Sequence, residues 1–268
     1  MPDAITPDDG EDGAPSPPAR SSLEHSLELL WGGRPPPTKG PKPGLTVPQI
    51  VEAAIQLVDA DGFEALSMRR LARELGVGTM SLYRYVPDKS VLLDLMLDRV
   101  SAPDHDARPG PGSPWREALQ AEAEGGRALY LQHPWLLQVN WSRPVLGPNT
   151  VAGLELTLAG LTELPMSDQE KLMIISAIDA YVVGSVRQQV MYELAAEETG
   201  VSDEEFWRMQ MPTMERAMDT GDYPVMAAMD EDTFDAGWDE TFTLGLQHLL
   251  DGIAADVARR EDATDRGA

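Results

Sequence analysis

From Thr46 onward the chain repeats apolar residues every three or four positions. Val47, Ile50, Val51, Ala54, Leu57 and Val58 fall on one side of a helix. Thr46 suits an N-cap, Pro48 stands early enough for its missing N–H to be harmless, and Gly62 supplies a stop. Ser67 caps a second predicted helix carrying Leu71, Ala72 and Leu75, and Gly76 ends it. A third, over about residues 79–85, follows after only Val77 and Gly78. Pro87-Asp88 breaks the chain, and a fourth runs over about 89–100 on Val91, Leu92, Leu95 and Met96.

The rest is also helical in period. Residues 1–20 lack hydrophobic periodicity and read as disordered, and 1–30 as a whole as a dispensable tail. Within it, 21–31 place Leu23, Leu27, Leu30 and Trp31 on one face of a short amphipathic helix. The segment GGRPPPTKGPKPG is a basic linker too rich in proline for a helix. After a loop at 101–114, helices are predicted over about 114–132, 150–161, 167–196, 202–219 and 232–260. Ser167 with Glu170 and Ser202 with Glu205 have the spacing of capping boxes. No alternating strand pattern and no repeat occurs, so the fold class is all-α. The domains expected are 1–44 (tail, short helix and linker), 45–100, and 101–268.

Composition narrows the class. No run of about 18 apolar residues exists to span a bilayer. The chain has no cysteine, hence no disulfide and no thiolate metal site, which fits a cytoplasmic location. The net charge of −24 argues at first against nucleic acid. Its distribution softens that: residues 1–30 carry −6, 31–44 carry +3, 45–100 only −2, and 101–268 carry −19. No phosphate loop, nucleophile elbow or metal cluster is present, so the chain does not read as an enzyme, and no cofactor is expected.

Two helices joined across a glycine make a minimal helix-turn-helix. Ala72 is small where the helices must approach, and Gly76 can take the left-handed conformation of the turn. Leu71, Leu75, Val77, Leu82 and Val86 supply a miniature core. Thr79, Met80, Ser81, Tyr83, Arg84 and Tyr85 are left outward, a set with no acid to repel phosphate.

Over 46–100 the sequence resembles the TetR family of bacterial repressors, most specifically in GVGTMSLYRYVPDK. The C-terminal part is similar to the regulatory domain of the tetracycline repressors in helix count and length. The resemblance implies a three-helix DNA-binding bundle joined by a linking helix to a larger helical ligand-binding and dimerisation domain. By position it implies that Thr79, Met80 and Ser81 approach base edges in the major groove. Arg69 reaches guanine or phosphate, and Ser67, Tyr83, Tyr85 and Lys89 hold the backbone, the peptide N–H of Lys89 adding an anion site. Lys39 and Lys42 would enter the minor groove. Competing readings are that Tyr83 braces the bundle, that Met80 covers apolar surface, that Arg70 and Arg84 are solvated or salt-bridged, and that Lys39 and Lys42 are plain linker charge.

In that family the C-terminal domain forms a dimer interface and encloses a ligand. Phe234, Trp238, Phe242, Leu246, Leu249, Leu250 and Ile253 are the candidate interface here, with simple core as the other reading. Nine of the thirteen methionines lie between Met166 and Met229, and methionine suits surfaces that adapt to varied apolar ligands. With them, Trp135, Trp141, Met173, Tyr181, Gln188, Tyr192, Trp207 and Met211 are candidate ligand residues for an apolar or amphipathic effector. No metal site is expected: the QVNWSRP stretch lacks the metal-binding histidine that tetracycline repressors carry there. The expected partners are operator duplex DNA, a small-molecule effector and a second copy of the chain, with no membrane. The function implied is a ligand-released repressor on a pseudo-palindrome. Alternatives are an activator of the same fold and a ligand-binding or protein-interaction module with little DNA affinity.

Overall fold

The computed structural model describes residues 19–32, 45–104, 113–140, 144–230 and 233–267, and among them every regular element is a helix. Contacts divide the chain into two compact units. One holds the chain up to Ala107 together with Gln132–Leu156; the other holds Arg108–Leu131 with Thr157–Ala268.

In the first unit α1 is Ala19–Leu30, α2 Val47–Asp61, α3 Met68–Glu74, α4 Thr79–Leu82 and α5 Lys89–Val100. Their local chemistry sets their limits. Thr46 and Gln49 close a capping box on α2, Ser67 accepts the Arg70 N–H on α3, and Asp88 accepts the Val91 N–H on α5. Ile50, Val51, Ala54, Leu71, Leu82, Val86, Val91, Leu92 and Met96 bury completely or nearly so. These are the positions the apolar rhythm marks, and their burial is the main stabilising term of the bundle. The third helix is shorter than its period suggests: α-helical geometry stops at Leu82 and turns carry the chain through Tyr85, because Pro87 disfavours helical conformation before it.

α1 forms where the apolar spacing of 21–31 predicts a short helix. It is docked along α5, and its serine face points inward: Ser22 and Ser26 are buried, while Leu23 is 46 % and Trp31 56 % exposed. Ser22 donates to Asp88 at 2.9 Å and Ser26 to Asp94 at 2.6 Å.

Two carboxylates fasten Gln132–Leu156 to this unit. Asp59 Oδ1 on α2 lies 2.8 Å from His133 Nδ1 and accepts the Trp135 indole N–H at 2.8 Å. Asp98 on α5, buried, receives the backbone N–H groups of Asn149 and Thr150 at the start of a later helix. The 3₁₀ turn Pro134–Gln138 between them has no periodicity that a sequence reading would find.

In the second unit α6 is Trp115–Gln132, α8 Asp168–Thr199, α9 Asp203–Met218, α10 Pro224–Ala227 and α11 Trp238–Gly267; the unit boundary falls within α7, Pro148–Gly160. The capping box at Ser167 and Glu170 closes as expected, whereas at Ser202 only the serine half forms. α11 starts at Trp238 rather than near 232 and runs on to Gly267. Ile178, Val182 and Val186 of α8 and Phe242, Leu246 and Leu250 of α11 are buried where these two helices pack, and Leu119 of α6 is buried as well. Tyr181 stacks on Phe242 at 5.5 Å and donates its hydroxyl to the Phe242 carbonyl at 2.7 Å. Burial first, then the nearby Asp179 charge, pushes the Tyr130 phenol up to about 12.

Candidate nucleic-acid interface

The turn between α3 and α4 is built by hydrogen bonds that only a left-handed residue permits. Gly76 has φ +66°, its N–H bonds the Arg73 carbonyl at 3.1 Å, and the Val77 N–H reaches back to the Ala72 carbonyl at 2.9 Å. This paired 5→2 and 6→1 pattern closes α3 and points the chain into α4 within three residues. Leu82 and Val86, fully buried, then anchor α4 by its inner side.

What faces outward follows from that anchoring. Met80 is 75 % exposed, so it covers no apolar surface of the bundle. Thr79 and Ser81 are half-buried on either side of it, and the Arg84 guanidinium donates to the Ser81 hydroxyl at 3.3 Å. Tyr83 and Tyr85 are half-buried, able both to brace the bundle and to present their rings at its rim. On α3, Arg69 is exposed, whereas Arg70 spends its charge on Asp61 at 2.5 Å. Ser67 caps α3, and Lys89 is exposed at the first turn of α5, its ammonium 5.2 Å from the Phe63 ring centre. Lys39 and Lys42 lie outside the described residues.

Most of the acid in this region is directed elsewhere. Glu52 pairs with Arg99, Asp59 binds the His133 and Trp135 side chains, Asp61 holds Arg70, Asp88 caps α5, Asp94 takes Ser26, and Asp98 holds α7. Burial first, opposed by the Ser26 hydrogen bond, raises the Asp94 carboxyl above its ordinary range. From α3 to the start of α5, Arg69, Arg73, Arg84 and Lys89 are exposed against Glu74 at the end of α3, so the net −2 of the segment misstates the surface that a phosphate would meet.

The candidate ligand residues are not gathered round one cavity. Trp135 is buried in the first unit on Asp59. Tyr181 bridges α8 to α11, Gln188 lines a small pocket beside Arg127 and Trp238, and the Trp207 indole N–H donates to the Tyr192 hydroxyl at 2.9 Å. Met173 and Met211 are exposed, and Trp141 lies outside the described residues. A groove of about 630 Å³ between α6 and α11 is lined instead by residues such as Gln120, Arg127, Phe242 and Leu246. The candidate dimer residues divide as well. Phe242, Leu246 and Leu250 belong to the protomer's own core, Trp238 and Ile253 are half-buried, and Phe234 and Leu249 are exposed. Sequence reasoning missed a second stripe on α8, opposite Ile178 and Val182, where Met173, Ala177, Ala180, Gly184 and Met191 are all exposed. Among the described residues no three metal-ligating side chains cluster, and no helix is long and apolar enough to cross a membrane.

A short capped helix, a left-handed glycine turn, a second short helix with polar groups outward and a following linking helix are the parts of a helix-turn-helix transcriptional regulator. Residues 50–96 match the model of the tetR family of bacterial regulatory proteins, and 108–257 match the tetracyclin repressor-like C-terminal domain. The chain is 52% identical over 239 residues to the HTH-type transcriptional repressor DrrR1 of Streptomyces coeruleorubidus, covering 89% of this chain and 88% of that one. It is 26% identical over 210 residues to the class D tetracycline repressor protein of Escherichia coli, covering 78% and 88%. Among solved structures, the TetR family protein ActR of Streptomyces coelicolor in complex with (S)-DNPA aligns with a TM-score of 0.62 at 28% identity, over 79% of this chain and 98% of that one. The chain belongs to the TetR family; it is a DNA-binding transcriptional regulator and not an enzyme.

Proposed function

We propose that this protein is a repressor that binds a pseudo-palindromic operator as a homodimer and is released by a small, apolar or amphipathic effector. The observation that carries the reading is the outward face of α4, where Thr79, Met80 and Ser81 project beyond an anchored Leu82 with no carboxylate beside them on that helix. Short hydroxyls and a thioether suit base edges and thymine methyls in the major groove. Arg69 then reaches guanine or phosphate, while Ser67, Tyr83, Tyr85 and the Lys89 N–H hold the backbone. Lys39 and Lys42 are proposed for the minor groove.

Dimerisation is favoured by geometry, since two such helices must stand about 34–36 Å apart to read successive grooves. The exposed Met173, Ala177, Ala180, Gly184 and Met191 stripe on α8, with Leu244 and Leu249 on α11, is the surface we assign to it. Release by effector is supported by ActR, which has been solved with actinorhodin and with (S)-DNPA. The exposed methionines and aromatic rings of α9 suit a ligand of that apolar character. Such a regulator would act in the cytoplasm, where its DNA lies. The test is a fluorescence-anisotropy titration of the full chain on duplexes from its own upstream region. Saturable binding of one dimer per site, weakened on Arg69→Ala or Tyr83→Ala with helicity and dimer mass kept, is the expected result. Indifference of a folded chain to every such duplex would refute the reading.

A further inference from the structure

The orientation of α1 needs a reason. Burying Leu23, Leu27 and Trp31 would stabilise its docking, yet they remain exposed and two serines are buried instead. The bonds the serines make are directional and charge-assisted: Ser22 to Asp88 at 2.9 Å, Ser26 to Asp94 at 2.6 Å. At the other end, the Trp31 indole N–H donates to the Leu146 carbonyl at 3.0 Å, next to the glycine that precedes α7. Ser22 to Trp31 spans about 14 Å and Asp88 to Asp98 about 15 Å at roughly 1.5 Å per residue, so α1 lies beside α5 for its whole length and in the same direction. Apolar packing alone tolerates sliding and rotation; turning α1 by a single residue would break both serine bonds.

Asp88 joins this contact to the DNA-facing end of α5. One of its oxygens takes the Ser22 hydroxyl and the other caps α5 through the Val91 N–H at 2.9 Å. Lys89 is the next residue. We propose that α1 is a register clamp: Ser22, bonded to Asp88, and Ser26, bonded to Asp94, are positioning residues that fix the start of α5, and with it the backbone N–H and ammonium of Lys89, where a phosphate can be met. This rests on the reading that Lys89 touches the DNA backbone. It gives residues 19–32 a part in operator affinity although they lie outside the segment matched by the DNA-binding family model, 50–96.

The experiment is a double-mutant cycle on the full chain, by anisotropy on one operator duplex at several salt concentrations. It compares wild type, Ser22→Ala/Ser26→Ala, Lys89→Ala and the triple variant. The paired serine change is expected to weaken binding about tenfold, the scale of a lost hydrogen bond to a charged group. The slope of log affinity against log salt should drop by about one phosphate contact per protomer. The triple variant should bind no worse than Lys89→Ala alone, because both changes remove the same contact. General loosening of the fold would add to the Lys89→Ala loss and leave the slope unchanged, and either result overturns the clamp, as does wild-type affinity in the serine variant. If the paired change lowers helicity, Ser22→Ala alone goes through the same cycle, with the same outcomes supporting or overturning the clamp. A folded wild-type chain that ignores the duplex defeats the DNA-binding reading and the clamp together; a binding wild type with additive losses defeats the clamp alone.

Discussion

Thr150 gives both its backbone N–H and its hydroxyl to one oxygen of Asp98, each at 3.0 Å. The other oxygen takes the Asn149 side-chain amide at 3.2 Å, so a single buried carboxylate on α5 caps the N-terminus of α7. A carboxylate there also meets the positive end of the helix dipole. The site is built to this size: a Cβ on Gly147 would stand 2.3 Å from the Asp98 carboxylate.

Asp98→Ala should therefore lower unfolding stability by about 3 kcal/mol, because it strands buried donors without partners. Asp98→Asn keeps the shape and loses one acceptor, and should cost about half as much. Urea unfolding of the two variants checks both; a change within experimental error for the alanine would remove Asp98 as the joint between α5 and α7.

Gly76 tests the turn of the helix-turn-helix. Nothing lies within 4 Å of an added Cβ there, so Gly76→Ala introduces backbone strain and no clash. At φ +66° that strain is about 1–2 kcal/mol. Thermal unfolding should register a loss of this size, and a cost several times larger would mean that the turn does more than reverse the chain.

Arg69 and Arg70 are neighbours with separate employments. Arg69→Ala should weaken operator binding by about 1–3 kcal/mol with stability unchanged. Arg70→Ala removes a partly exposed pair with Asp61 worth up to about 1 kcal/mol of stability, and should leave operator affinity as it was. Anisotropy and melting curves on the two variants separate the roles, and equal losses of affinity would erase the distinction.

Glu170 gives the second unit an acid dependence. The Arg260 guanidinium, then the N–H and hydroxyl of Ser167, hold its carboxyl at about 2, against an ordinary value of 4.5. A carboxyl depressed by folding stabilises the native state fully above its unfolded value, and that contribution fades as the pH falls from about 4.5 towards about 2. Wild type should thus melt higher than Glu170→Gln at neutral pH, with the two curves converging in acid. A gap that is constant from neutral pH down to about 2 would assign the effect to packing.

The DNA-binding bundle was legible because its signals are local. Thr46, Ser67, Gly76 and the spacing from Val47 to Met96 each act within a turn or two of helix, and each does in three dimensions what its position suggests. Long-range polar partnership was not legible. Nothing around Ser22 or Ser26 announces carboxylates 66 and 68 residues away, so the sequence marks a short amphipathic helix here without showing what its serine side meets. The same holds for Asp59 and its two partners beyond α6. On α11, apolar residues cover more than one side, and one sequence cannot tell which side meets its own core, as Phe242, Leu246 and Leu250 do. The α8 stripe escaped notice for a related reason: alanine and glycine carry little hydrophobic signal although they let helices approach closely.

Met80 is three-quarters exposed, standing mostly outside the packing that keeps the bundle folded. Its identity is therefore little constrained by the core, and on the proposed reading a substitution there should leave the melting behaviour alone while altering what the helix meets in a groove. A lineage carrying this scaffold is free to be readdressed to a new promoter one side chain at a time, with the architecture inherited intact.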